Sequence, residues 1–268
     1  MVGDHKQLGP VVHCEDAKRA GMELSMFDRL IKIGIPILMF NTQYRMHPAI
    51  SRFPNNTFYD GQLVDGVKAS DRICHGFPWP RNNHPVMFYA CNNGQEKRFG
   101  TSFFNVREAK IVKKFLDHLT FNGVQEKDIG IICGYDAQKQ WLISQMNIPV
   151  SVEINTVDGF QGREKEVIIM TCVRSESVGF LRDPRRMNVS LTRAKSGLII
   201  IGNAICLKTD SLWEKLLNHM QERKVLVGGS LNKWLPIDLN NLADGKVHGH
   251  VKIRQIRRRN RVQEREVF

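Results

Sequence analysis

Absences narrow this 268-residue sequence before any motif is read. It has no run of about eighteen apolar residues, so no segment reads as a membrane-spanning helix. Its first residues, with Asp4, His5 and Lys6, hold no apolar stretch of the secretory kind. The six cysteines, at 14, 74, 91, 133, 172 and 206, form no C-x-x-C pair, which argues against a disulfide framework or a zinc site. Cys133 and Cys172 sit in apolar, strand-like runs, where a thiol packs as a small hydrophobe. Free thiols fit a reducing compartment. His248 and His250 have no further ligand beside them, so no metal site is expected. No internal repeat is visible. Nowhere does G-x-x-x-x-G-K-[ST] occur, the loop whose backbone N–H groups cradle phosphates.

What is present is a basic chain with enough apolar residues for a core. Lys and Arg number 39 against 27 Asp and Glu, a formal charge of +12, and 42% of residues are hydrophobic. Residues 252–268 carry seven basic and two acidic side chains, so +5 of the charge is there and +7 lies elsewhere. A basic surface attracts phosphate backbones in a salt-dependent way. Arg257-Arg258-Arg259-Asn260-Arg261 reads as a nuclear-localisation or RNA-binding patch, or equally as a solvated end.

Short apolar runs alternate with amphipathic ones. Strands are expected over Ile37–Phe40, Val86–Cys91, Ile129–Cys133, Val152–Thr156, Val167–Val173 and Leu198–Gly202. Several are continuous and β-branched, as in strands buried on both faces. Asn105-x-x-Glu108 has the form of a capping box opening a helix. Ile111, Val112, Phe115, Leu116 and Leu119 give that helix one apolar face, and Gly123 is a natural stop. Asp183-Pro184 reads as an N-cap followed by proline at the first helical position. Ser211 is placed to cap a last helix carrying Leu212, Trp213, Leu216, Leu217 and Met220. The alternation predicts an α/β fold with a parallel sheet and helices on both faces. Residues 1–36, with a helix around Leu24–Ile33, do not make a domain alone. Residues 37–237 form the main domain, and from Asp238 the apolar pattern fades into a basic extension without structure.

Four clusters carry chemistry, and their order matters as much as their content. They are Gly3-Asp4-His5-Lys6-Gln7-Leu8-Gly9-Pro10, then Gln43-Tyr44-Arg45-Met46-His47-Pro48, then Val157-Asp158-Gly159-Phe160-Gln161-Gly162-Arg163-Glu164, then Asn188-Val189-Ser190-Leu191-Thr192-Arg193-Ala194-Lys195. Together they resemble motifs III to VI of superfamily one helicases of the 5′-to-3′ branch, and most closely the up-frameshift RNA helicases, the regulators of nonsense transcripts. The resemblance runs from Met1 to about Leu231 and includes Phe53–Tyr59 and Gly179–Arg186.

The resemblance implies a RecA-like domain, the second of a P-loop NTPase pair and itself lacking the P-loop. It implies ATP as substrate and Mg²⁺ as cofactor, with the metal ligands in a first domain. Arg45 and Arg193 match the family's two γ-phosphate arginines, whose planar forks suit phosphate oxygens better than lysine does. Gln7 matches the γ-phosphate sensor. Tyr44 matches the aromatic that stacks on adenine. Glu164 matches a carboxylate near the ribose, or else one that only orients neighbouring arginines. Pro10, Val11, Tyr135, Thr156 and Asp158 fall at positions expected to meet nucleic acid. Gly159 and Gly162 serve a tight turn and a close backbone approach.

The chain also departs from the family. Cys133-Gly134-Tyr135 stands where relatives usually show Thr-Pro-Tyr, and no acidic Walker B motif or zinc-binding N-terminal region is present. The implied partners are single-stranded RNA and decay and translation-termination factors, with no membrane. The implied location is cytoplasmic, with shuttling to the nucleus. Two other classes fit the same motifs: a truncated, non-catalytic RNA- or partner-binding module, and a fragment of a related DNA helicase.

Overall fold

A computed structural model describes residues 2–12, 14–231 and 233–242. In chain order the helices are α1 (Glu15–Arg19), α2 (Met26–Lys32), α3 (Pro48–Phe58), α4 (Val106–Phe121), α5 (Asp136–Gln145), α6 (Pro184–Leu191), α7 (Ala204–Leu207) and α8 (Ser211–Glu222). The strands are β1 (Thr42–Gln43), β2 (Val64–Asp65), β3 (Val86–Ala90), β4 (Lys97–Phe99), β5 (Ser102–Phe104), β6 (Ile129–Cys133), β7 (Glu153–Thr156), β8 (Lys165–Thr171), β9 (Ala194–Gly202), β10 (Leu226–Ser230) and β11 (Lys233–Pro236).

Seven strands form the central sheet in the order β11-β10-β3-β9-β8-β6-β7. Every neighbouring pair is parallel except β10 with β11. Ile131 lies opposite Ile169, which lies opposite Ile199, so the middle of the sheet is a row of β-branched side chains. None of the three is exposed, as a strand covered on both faces requires. Helices α4 and α5 cover one face against β6, β8 and β9, while α3 and α8 pack on β9, β3 and β10, with α6 against α3. The α/β fold with a parallel sheet and helices on both faces is therefore observed.

Local signals explain most helix starts. Asp183 caps α6 by accepting from the N–H groups of Arg185 and Arg186, with Pro184 at the first position. Asn105 caps α4 by accepting from Arg107 and Glu108 N–H. The expected return bond of that capping box is absent, because Glu108 turns inward to Thr171 and Val173. The last helix is capped by Asp210, one residue before the expected Ser211, since the Asp210 carboxylate reaches the N–H groups of Leu212 and Trp213.

Two further expectations change. Ile37–Phe40 is not a strand; Leu38 is 94% exposed and the chain pairs only from Thr42, against Val64. An apolar run without a neighbouring strand has nothing to take its backbone hydrogen bonds. The packed region also continues past 237: Leu239 and Leu242 are buried, and Leu239 N–H donates to Gln221 of α8. The arginine-rich patch and both candidate histidines of the extension lie outside the described residues. The exposed hairpin β4–β5 escaped the apolar pattern because its register is set by a glycine turn, with Gly100 at φ 58°.

Candidate nucleotide cleft and nucleic-acid surface

The candidate residues divide between the two ends of the sheet. Glu164 immediately precedes β8 and Arg193 immediately precedes β9, so both stand at the amino ends of those strands. Tyr135 and Asp158 follow the carboxyl ends of β6 and β7, where Thr156 is the last residue. Residues 157–164 carry the chain from one end to the other.

At the amino ends lies a cleft of about 680 Å³, lined among others by Gln7, Tyr44, Arg45, Tyr59, Thr192 and Arg193. Arg45 is held from several sides. Its Nε donates to Glu164 Oε2 at 2.5 Å and its Nη1 to the Thr192 carbonyl at 3.1 Å. The Gln43 side-chain oxygen accepts from the N–H groups of Arg45 and Met46. Arg72 donates to the Arg45 and Tyr44 carbonyls at 2.9 Å each, fixing the turn from outside. Glu164 also meets Lys195 at 3.0 Å. Burial works against its charge, but hydrogen bonds from Lys195 and Arg45 outweigh it and hold the carboxyl below its usual range. Glu164 thus hydrogen-bonds Arg45, as the second of its two expected roles, orienting a neighbouring arginine, requires.

Arg193 is 2% exposed, and all three guanidinium nitrogens donate. Nε goes to the Val189 carbonyl at 3.0 Å and Nη1 to the Arg163 carbonyl at 3.4 Å. Nη2 goes to Thr192 Oγ1 at 2.9 Å and to Gln7 Oε1 at 3.1 Å. Burial, reinforced by the neighbouring charge of Arg45, brings its pKa down to about 10, which still leaves it charged at neutral pH. Tyr44 is 67% exposed, with one side of its ring against Gly66. A Cβ on Gly66 would lie 2.4 Å from the ring, so only glycine lets the backbone back the tyrosine this closely. The other side is free for a planar group.

The nucleic-acid candidates do not behave alike. Pro10 and Val11 are exposed, beside the Leu8 carbonyl that accepts from Gln161 at 2.9 Å. Thr156 is half-buried and its Oγ1 accepts from Gly159 N–H. Both Asp158 oxygens accept from Arg186 at 3.1 Å, so this carboxylate braces the turn onto α6. Tyr135 is only 1% exposed, which corrects its expected place on the surface. Its ring lies 4.4 Å from that of Phe180 and edge-on to Phe103, and its hydroxyl accepts from Arg174 at 3.2 Å. A base cannot stack there while Phe180 covers it. The two glycines act as expected: Gly162 adopts φ 79°, and a Cβ on Gly159 would lie 2.3 Å from Asn155 Oδ1.

Sequence reasoning missed several residues of the cleft. Tyr59, Asn188 and Asp4 form hydrogen bonds beneath Gln7, and Arg72 and Gln43 pin the Tyr44–Arg45 turn. Gln43, Asp4 and Asn188 stood inside quoted motifs, but nothing local said what they would touch.

The cleft offers an open aromatic face and two converging guanidiniums, which fits an adenine nucleotide. It does not offer a metal site: among the described residues, no group of three or more His, Cys, Asp or Glu side chains could hold a metal ion.

The parallel sheet and the cleft at its edge define a RecA-like α/β domain of the P-loop NTPase type. A family model described as "AAA domain" matches residues 22–205, and the chain belongs to that family. Among curated relatives, the Drosophila melanogaster "Regulator of nonsense transcripts 1 homolog" is 47% identical over 262 residues, covering 92% of this chain and 21% of the relative. The Caenorhabditis elegans "Regulator of nonsense transcripts 1" is 45% identical over 253 residues, covering 89% and 24%. The "ATP-dependent helicase NAM7" of Saccharomyces cerevisiae is 44% identical over 247 residues, covering 87% and 25%. The resemblance drawn from the motifs is thus to these helicases, and the chain spans a fifth to a quarter of their length.

Proposed function

We propose that this chain is the C-terminal motor portion of an ATP-dependent RNA helicase of the nonsense-mediated decay type, coupling ATP hydrolysis to movement along single-stranded RNA. The observation that carries this reading is the convergence of Arg45, Arg193 and Gln7, from three distant parts of the sequence, on one cleft beside an open Tyr44 ring. ATP supplies the phosphoanhydride bond whose cleavage drives the motor. Hydrolysis builds negative charge on the transferring phosphoryl oxygens, and a guanidinium held there is worth roughly 10³–10⁵ in rate. Glu164 and the Thr192 carbonyl hold Arg45 ready, and Gln7 reports on Arg193 through a direct hydrogen bond. Tyr44 stacks on the base and reads little of its identity.

The phosphate-binding loop and the Mg²⁺ ligands would come from a first RecA-like half. Basic charge on and beyond the domain supports an RNA partner. Decay and translation-termination factors as partners, and a cytoplasmic location with shuttling to the nucleus, belong to the same proposal and rest on the motif resemblance alone. The test is RNA-stimulated ATPase. The 268-residue chain alone is expected to hydrolyse none above background. The full-length protein with a phosphate-binding half is expected to turn over, and failure of the latter refutes the reading.

A second reading, a non-catalytic RNA- or partner-binding module, holds if the endogenous protein carries no phosphate-binding half. The intact mass of the endogenous protein decides. A value near 30.8 kDa supports the module, and one several-fold larger supports the helicase.

A further inference from the structure

Tyr59 makes no hydrogen bond to either arginine of the cleft, yet it sits at the root of the hydrogen bonds that orient one of them. It follows the last residue of α3, and its hydroxyl donates to Asp4 Oδ2 at 2.6 Å. The same Asp4 oxygen accepts from Gln7 Nε2 at 2.7 Å. An amide has one donor side and one acceptor side. With Nε2 committed to Asp4, Gln7 Oε1 must face the other way, and there it accepts from Arg193 Nη2 at 3.1 Å. Asn188, fully buried in α6, secures the far end. Its Nδ2 donates to Tyr59 Oη at 2.8 Å and to the Lys6 carbonyl at 3.0 Å. The chain of donors is therefore Asn188 to Tyr59 to Asp4, where it meets the one running from Arg193 to Gln7 to Asp4.

Directionality supports the arrangement. Burial, and then the carboxylate of Asp4, push the Tyr59 hydroxyl above its ordinary pKa, so it keeps its proton and can only donate to Asp4. Among the described residues, Asn188 Oδ1 is buried without a partner. That cost is tolerable only if the amide's other end is needed where it is, on Tyr59 and Lys6. The arrangement also spans the fold: Asp4 and Gln7 belong to the loop before α1, Tyr59 to the end of α3, and Asn188 and Arg193 to α6 and the turn after it.

We propose that Tyr59 is a positioning residue for nucleotide hydrolysis: through Asp4 it sets the Gln7 amide, and Gln7 in turn sets the Arg193 guanidinium. This rests on the hydrolysis reading above, but the hydrogen-bond relay itself does not. Removing the hydroxyl leaves the ring and its packing in place while freeing Asp4 to turn. Gln7 then loses its fixed orientation, and Arg193 loses one of its two Nη2 acceptors.

The test has two arms. In the 268-residue chain, side-chain amide and guanidinium NMR signals are followed for wild type, Tyr59→Phe and Asp4→Asn. Tyr59→Phe is expected to move the Arg193 Nε signal, although Tyr59 makes no hydrogen bond to Arg193, together with the signal of the adjacent Gln7 Nε2. If both stay still in a folded variant, the relay is refuted. In the full-length protein, ATPase with saturating RNA is expected to show kcat reduced about ten-fold, since a misplacement of ~1 Å can cost up to ~100-fold. KM for ATP should change less than two-fold, because the relay acts on orientation rather than on nucleotide contact. The double variant Tyr59→Phe/Asp4→Asn should be no slower than the worse single one, as expected for residues acting through one path. Unchanged kcat in Tyr59→Phe, with an active wild type, overturns the proposal. An inactive wild type instead sinks the hydrolysis reading, and the first arm still decides the relay.

Discussion

Glu108 offers the sharpest test of how this fold balances its buried charges. It is fully buried in α4, where Oε2 accepts from Thr171 Oγ1 at 2.6 Å and from Val173 N–H at 2.8 Å. Its Oε1 has no partner among the described residues. Among the described residues no cation pairs with it, so burial, only partly offset by those hydrogen bonds, pushes the carboxyl up from 4.5 to about 7. The neighbouring thiols do not share the proton near neutrality, because burial pushes Cys91 up to about 12 and Cys172 well above its ordinary value.

The sign follows from linkage. The folded chain holds the Glu108 proton more tightly than the unfolded chain does. The associated stability is fully present below about pH 4.5 and is lost as pH rises through about 7. At about 1.4 kcal/mol per pH unit, the gap corresponds to roughly 3 kcal/mol of stability lost across that window. Glu108→Gln removes the titration. It keeps an oxygen for Thr171 and Val173 but buries an amide N–H₂ without an acceptor, a pH-independent cost of ~1–3 kcal/mol. Urea unfolding of both proteins between about pH 5 and about pH 8.5 is the assay. The wild type should lose ground to the variant as pH rises through about 7 and hold a constant difference above it, so that the variant equals or exceeds it at the alkaline end. Parallel curves, with a constant difference, would refute the account of Glu108 as a buried group that is neutral at low pH.

Further outcomes concern the cleft, the turn and the charge. In the full-length protein, Arg193→Ala should nearly abolish RNA-stimulated ATPase while sparing nucleotide-free RNA binding, and Arg45→Ala should do likewise. Lysine at either site should rescue poorly because it lacks the planar fork, and half the parental rate in Arg193→Ala would remove Arg193 from the γ-phosphate. Gly159→Ala should destabilise the domain by ~1–3 kcal/mol through overpacking, since its Cβ would meet Asn155 Oδ1 at 2.3 Å. Thermal melts should show Asn155→Ala recovering part of that loss, and no recovery would mean that the backbone rather than the clash is at fault. Single-strand binding by the 268-residue chain should be weak and steeply salt-dependent, and removing residues 252–268, with their +5 charge, should flatten the slope. Affinity indifferent to salt would dismiss the electrostatic account.

The sequence by itself determined the features that are local. Ile129–Cys133 and Leu198–Gly202 read as strands because a strand covered on both faces must be apolar throughout, and they lie at the heart of the sheet. Asn105 and Asp183 read as caps because a side-chain oxygen one position ahead of a helix meets N–H groups that have no other partner. The need for glycine at 159 and 162 was legible for the same reason, as both act on backbone within a few residues. The motif order was legible too, and with it the family.

Tertiary structure decided everything that depends on which distant side chains meet. Glu164 came to hydrogen-bond Arg45, and Tyr135 went under Phe180 instead of onto the surface. Tyr59 acquired a role through Asp4, 55 positions away, and Arg193 found Gln7 across 186 positions. Periodicity and capping act over a turn of helix or a pair of strand residues. The partner of a buried donor is chosen only when the sheet closes and brings its amino ends, α3 and α6 against the loop before α1.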